Sequence, residues 1–206
     1  MSQQKQKAVF LDRDGVLNEM VYDEDHGIMD SPRRPDQVVM VAGAGGFVRA
    51  VRELGFLAVV ATNQPGIAKN TLTLENLAAV NERLAKLMKA EGGQWNALKF
   101  CPHHPDGGYH PRREYVMKCE CRKPRPGMLL EAADEMNIAL DKSWMIGDGL
   151  TDIQAGHAAG CRTILMTQLK IGQVERFFHT DGREPDFICR NLAEALDIIK
   201  RGNNER

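Results

Sequence analysis

Asp12 and Asp14 stand one residue apart in the segment Val9-Phe10-Leu11-Asp12-Arg13-Asp14-Gly15. The apolar residues before them read as the end of a buried strand, and the glycine after them as a turn. An unpaired aspartate has a pKa of about 3.9, so Asp12 is expected to be ionised and nucleophilic at neutral pH without an activating base. Two carboxylates this close repel each other and hold one proton more tightly, which suits Asp14 to act as an acid. A divalent cation would relieve that repulsion and draw in an anionic substrate. Asp148, in Ile146-Gly147-Asp148, supplies a third carboxylate at the end of another apolar run, and Asp152 follows four residues later. Oxygen ligation of this kind favours Mg²⁺. The Asp-x-Asp pattern is cheap on its own: with 14 aspartates in 206 residues, roughly one match arises by chance. Asp23-x-Asp25 is a second match, has no apolar strand before it, and reads as a solvated loop.

Thr62-Asn63 follows the apolar run 56–61 and offers a hydroxyl and backbone N–H groups for phosphate oxygens, to which Lys123 would add a point positive charge. A second cluster is of another kind. Cys101-x-His103 and Cys119-x-Cys121 bring three of the five cysteines and a histidine within 21 residues. Three thiolates and one imidazole fit a closed tetrahedral Zn²⁺ site of structural type, with His104 and His110 as alternative ligands. Such a site has no open position for chemistry. Its work would be to order residues 101–121 and pin Arg122 and Lys123 beside the carboxylates.

The elements that must position these residues alternate. Strands are predicted over residues 8–11, 56–61, 98–100, 144–146 and 163–166. Helices are predicted over 47–54, from about 74 to 88, from 126 to about 137, over 151–159 and over 192–199. Strands apolar throughout and separated by helices imply a doubly wound, Rossmann-like α/β fold with a parallel sheet covered on both faces. In such sheets the site lies beyond the carboxyl ends of the strands, where Asp12, Asp14, Thr62, Asn63 and Asp148 fall. Residues 18–46 and 101–126 fit no regular element. Cys161, Cys189, Trp95, Trp144 and Met145 read as core.

The length suits one domain over residues 1–206. A net charge of −1 argues against a nucleic-acid or membrane-surface binder. The longest apolar run, residues 56–61, is far below the ~18 residues of a membrane helix. Residues 1–7 lack the apolar stretch of a signal peptide, so a cytoplasmic protein with reduced thiols is expected.

The motifs Val9-Phe10-Leu11-Asp12-Arg13-Asp14-Gly15, Thr62-Asn63-Gln64, Cys121-Arg122-Lys123-Pro124 and Gly147-Asp148 resemble the four motifs of the haloacid dehalogenase (HAD) superfamily of phosphatases. The resemblance spans residues 8–166. It is finer toward the heptose 1,7-bisphosphate and histidinol-phosphate phosphatases through Thr62 to Ala68, Cys101-Pro102-His103-His104-Pro105 and Cys119 to Leu129.

The resemblance implies a phosphoaspartyl mechanism. Asp12 is the nucleophile and Asp14 the acid and then the base. Thr62 and Lys123 would hold the phosphoryl group. Apart from the resemblance, Asn63 beside Thr62, and Arg122 within the basic stretch 110–126, are candidate substrate contacts, Arg122 to hydroxyls or a second phosphate. Mg²⁺ would rest on the Asp12 side chain, the Asp14 backbone carbonyl and the Asp148 side chain. Asp14 also speaks for a phosphatase, because the dehalogenase branch has no acid there. Gly149 stands where relatives carry a long basic side chain, so no contact is expected from that position. The gaps between motifs leave no room for a separate cap domain, so loops would select the substrate. The expected ligand is a small phosphorylated metabolite bound by a monomer, first a heptose 1,7-bisphosphate losing its 7-phosphate. Histidinol phosphate is the alternative substrate, and a non-catalytic phospho-ligand binding module the alternative of another class.

Overall fold

The computed structural model describes residues 5–24, 27–178 and 184–204. A six-stranded parallel sheet has the order β5-β4-β1-β6-β7-β8, built from β1 (Lys7–Leu11), β4 (Phe56–Asn63), β5 (Ala97–Cys101), β6 (Trp144–Gly147), β7 (Arg162–Met166) and β8 (Phe187–Cys189). A two-stranded antiparallel hairpin, β2 (Val21–Asp23) and β3 (Ile28–Asp30), stands apart from it. The helices are α1 (Ala44–Glu53), α2 (Leu74–Ala90), α3 (Gly127–Met136), α4 (Leu150–Ala159), α5 (Ile171–Phe178) and α6 (Leu192–Asn204).

Successive residues of β1 face opposite sides of the sheet. Val9 and Leu11 enter a core with Phe47 and Val48 of α1, Val80 and Leu84 of α2, and Ile198 and Ile199 of α6. Ala8 and Phe10 enter the opposite core, with Met128, Leu129 and Ala132 of α3. Burial on both faces is why these strands are apolar throughout, and it holds them at the centre of the molecule. Trp144 and Met145 pack in the core and Trp95 against it. Cys161 and Cys189 are buried in it, as expected.

The 18–46 segment is more ordered than its composition suggests. It folds into the β2–β3 hairpin and a 3-10 turn at Pro35–Gln37 before α1 begins. Arg33 ties the hairpin together by pairing with Asp23 at 3.2 Å and Asp30 at 2.5 Å. Asp23 is thus a hairpin residue; Asp25 lies outside the described residues. α5 and β8 were also not expected. Both are short, and β8 carries the one strongly buried position Cys189 in an edge strand. No helix among the described residues is long and apolar enough to cross a membrane.

Candidate active site

β1 ends at Leu11, so the next residue, Asp12, leaves the sheet at its carboxyl edge with its N–H bonded to Ile146 O of β6 at 2.9 Å. β6 ends at Gly147 and delivers Asp148 to the same edge, and β4 delivers Thr62 and Asn63. Gly15 makes the first of these meetings possible. Its φ is +82°, and a Cβ there would stand 2.0 Å from Asp148 Oδ2. Gly147 does the same for Asp152, whose Cβ lies 2.1 Å from where a Gly147 Cβ would be.

Carboxylate oxygens of Asp12, Asp148 and Asp152 lie within 4.8 Å of one another. Among the described residues a single ammonium faces them: Lys123 Nζ is 3.0 Å from Asp12 Oδ1 and 2.5 Å from Asp152 Oδ1, and it donates to Ala61 O at 2.7 Å. Lys123 is buried, 2% exposed. Burial opposes its charge, yet the Asp12 and Asp152 carboxylates outweigh that cost and hold its pKa above the usual lysine value. Asp12 also accepts the Arg13 N–H at 2.7 Å. Asp12 is not in the unpaired, ordinary carboxylate environment expected of it. Burial first, then the charges of Asp152 and Asp14, push its pKa upward against the pull of Lys123. Asp148, at the mouth of the cluster, is raised to about 6 by desolvation and by Asp12. When ionised, three carboxylates against one ammonium leave an uncompensated negative charge, and their oxygen donor set fits a hard divalent cation.

Asp14 is not part of that carboxylate cluster. Its side chain sits in a cradle of donors: Arg13 Nε and Nη2, Asn18 Nδ2 at 2.9 Å, Ser31 Oγ at 2.9 Å and Gln64 Nε2 at 2.8 Å. Gln64 Nε2 also donates to Thr62 Oγ1 at 3.0 Å, which puts Asp14 Oδ2 one amide away from the Thr62 hydroxyl. Thr62 and Gln64 are both 1% exposed.

The side chain of Asn63, a residue expected to contact substrate, is engaged within the protein. Its Nδ2 donates to Lys123 O at 3.0 Å while its Oδ1 accepts the Lys123 N–H at 3.0 Å. The side-chain amide is spent on both backbone groups of the lysine and therefore holds Lys123 in place. Arg122 is half-buried and anchored by Nη1 to His103 O at 3.2 Å. Of the other basic residues between positions 110 and 126, Arg125 pairs with Glu120, Arg112 bonds Asn70 Oδ1, and Arg113 and Lys118 are exposed.

Cys101, His103, Cys119 and Cys121 converge, their ligand atoms all within 4.8 Å. The Sγ–Sγ separations are 3.2 to 3.5 Å, too long for a disulfide, and His103 presents Nδ1 at 3.3 Å from Cys121 Sγ. Three sulfurs and one nitrogen around a common centre are the donor set of a structural Zn²⁺ site. His104 turns elsewhere, its Nδ1 accepting the Asp106 N–H at 3.2 Å. Cys101 is the last residue of β5 and Lys123 follows Cys121 by two, so a metal here would tie a sheet edge to the cationic group of the site.

Sequence patterns alone did not find Arg13, Asn18, Ser31 or Gln64 as partners of Asp14. Gln64 and Arg13 lie inside recognised motifs and were legible as neighbours. Ser31 carries no local signal, because only the hairpin brings it to the site. A concavity of about 470 Å³ lined by Arg49, Arg52, Phe56 and Asn96 lies away from the carboxylates, at the amino end of the strands. The carboxylate cluster is at the carboxyl end.

A family described as HAD-hydrolase-like matches residues 120–195. A D-glycero-β-D-manno-heptose-1,7-bisphosphate 7-phosphatase of Yersinia pestis is 38% identical over 194 residues, 94% of this chain and 95% of that protein. The protein of the same name from Escherichia coli K12 is 35% identical over 94% of each chain. Among solved structures, the D,D-heptose 1,7-bisphosphate phosphatase of B. bronchiseptica, crystallised with magnesium and phosphate, superposes with a TM-score of 0.74. It is 29% identical and covers 95% of this chain and 99% of that one. Identity at this level along nearly the whole length, with the motif carboxylates gathered at one sheet edge, means that the chain belongs to the HAD-like phosphatases, in the family that contains the heptose-1,7-bisphosphate 7-phosphatases.

Proposed function

We propose that the chain hydrolyses a phosphate monoester of a small sugar, and that this substrate is D-glycero-β-D-manno-heptose 1,7-bisphosphate, cleaved at its 7-phosphate. The observation that carries the reaction class is the strand-end pairing of Asp12 with Lys123 inside the carboxylate cluster. The substrate rests on relatives of that name aligned over 94% of the chain.

An Asp12 carboxylate oxygen attacks phosphorus, the bond from phosphorus to the ester oxygen breaks, and that oxygen takes a proton from Asp14. Water then attacks phosphorus of the aspartyl phosphate and gives a proton to Asp14. Inorganic phosphate leaves and Asp12 is restored. Thr62 and Lys123 hold the phosphoryl oxygens, and Arg122 at the rim meets the rest of the substrate. Mg²⁺, held by Asp12, Asp148 and the Asp14 backbone carbonyl, supplies charge neutralisation at the phosphoryl oxygens when bound. Asp152, buried against Lys123, fixes the ammonium. Zn²⁺ on Cys101, His103, Cys119 and Cys121 is structural. The protein works as a cytoplasmic monomer on a small metabolite and not on nucleic acid.

Phosphate release with Mg²⁺ from the heptose bisphosphate and from histidinol phosphate, measured in parallel, tests the substrate. A higher kcat/KM for the heptose is expected, and a higher value for histidinol phosphate would overturn it. Asp12→Asn should abolish turnover of both with the fold intact. Substantial Mg²⁺-dependent activity in that variant would remove Asp12 as nucleophile.

A further inference from the structure

Arg13 stands between Asp12 and Asp14 in sequence and is entirely buried. A guanidinium does not shed its charge, so its burial requires well-placed hydrogen-bond acceptors. Its main acceptor is Asp14. Arg13 Nε reaches Oδ1 at 3.2 Å, and Nη2 reaches Oδ1 and Oδ2 at 3.0 Å each. The remaining arm, Nη1, donates to Asn81 Oδ1 of α2 at 2.7 Å. A planar fork gripping both oxygens of a carboxylate fixes its plane as well as its position, which a point charge or a single hydrogen bond cannot do. The direction of the grip matters. Asp14 Oδ2 also accepts from Gln64 Nε2, which reaches Thr62 Oγ1, so this oxygen lies on the side of the group expected to hold phosphoryl oxygens.

We propose that Arg13, braced by Asn81, is the positioning residue for proton transfer, aiming one Asp14 oxygen at the leaving-group oxygen in the first step and at the attacking water in the second. This rests on the reading of Asp14 as the acid and base. Arg13 reaches Asp14 and need not touch the substrate, so its loss should act on the two proton transfers and spare phosphate binding.

The two steps differ in their need for a proton. Nitrophenolate leaves phosphorus without one, a sugar alkoxide does not, and hydrolysis of the aspartyl phosphate needs a base in either case. Stopped-flow and steady-state kinetics with Mg²⁺, using 4-nitrophenyl phosphate and the heptose bisphosphate, therefore separate positioning from general damage. Arg13→Met should give a nitrophenolate burst of one equivalent per folded site followed by slow turnover. With the sugar phosphate it should show no fast phase, a kcat lowered roughly 10²-fold, as expected for lost acid–base help, and a KM within about threefold of the parent value. Arg13→Lys should not restore the fast phase, because it returns charge without the fork. Asn81→Leu leaves Arg13 in place on a half-buried position and should show the same pattern with a loss of about tenfold.

Asp14→Asn is the control. If it shows no difference between the two leaving groups, the acid–base reading of Asp14 itself fails. If it shows that difference while Arg13→Met and Asn81→Leu lose burst and turnover equally on both substrates, or keep parental kinetics, Arg13 has no positioning role.

Discussion

At the scale of single residues the site is a balance of buried charge. Lys123 lies between Asp12 and Asp152, with side-chain exposures of 1% for the lysine and 2% for Asp152. Removing one member of such a group leaves the others uncompensated in a poorly solvated place. Lys123→Met should cost about 3–5 kcal/mol of stability in the absence of cation, as read by urea denaturation, and should also remove activity. A cost below about 1 kcal/mol would mean that the lysine is not the counter-charge its distances indicate. Gly15 is constrained in another way. Its positive φ and the Asp148 oxygen standing where a side chain would go leave no room for a methyl group. Gly15→Ala should displace Asp148 and lower kcat by roughly 100-fold or more, the order expected of an ångström-scale misplacement. Unchanged turnover would show that the turn can rearrange freely.

At the scale of elements, two loops do work that the sheet cannot. The β2–β3 hairpin closes on itself through Arg33 and then sends Ser31 to Asp14. The 101–126 segment has little regular structure and is ordered by its cysteine cluster, by Arg122 on His103 O and by the Asn63 amide on Lys123. Metal analysis should find about one Zn²⁺ per chain, as four converging ligands require. Stripping it with a chelator should lower both the melting temperature and kcat, because the loop that presents Lys123 loses its anchor. Full activity after complete zinc removal would show that Asn63 and Arg122 suffice. The partner of the Asn63 side chain could not be read locally, because Lys123 lies 60 residues away.

For the whole molecule, the near-neutral charge conceals a local excess of carboxylate at one sheet edge. Desolvation and Asp12 raise Asp148 to about 6, and burial raises Asp12 and Asp152 as well. Folding therefore favours their protonated forms. Without cation, that contribution to stability is full below about pH 4, the ordinary carboxylate range, and is lost as pH rises through about 6 to about 7. Mg²⁺ acts in the opposite sense, since it binds the ionised cluster and competes with protons. Its increment to the melting temperature, followed by differential scanning fluorimetry, should be larger at pH 8 than at pH 5. Equal increments would place the cation elsewhere.

The sequence by itself determined the parallel α/β layout and the sheet edge that carries the chemistry. Runs such as 8–11 and 56–61 can be satisfied only by burial on both faces, and Asp12, Thr62 and Asp148 follow directly from where those strands stop. It also set Cys101 beside His103 and Cys119 beside Cys121 through one-residue spacers, with His104 and His110 as alternatives; only the fold brought the two pairs together. Tertiary structure alone decided what holds each functional group. Asp14 meets Ser31 and Gln64, 17 and 50 residues away, and Arg13 meets Asn81 across 68. Periodicity and motif spacing act over a few residues, whereas these contacts exist only after the hairpin and α2 have packed around the strand ends, so no local pattern encodes them.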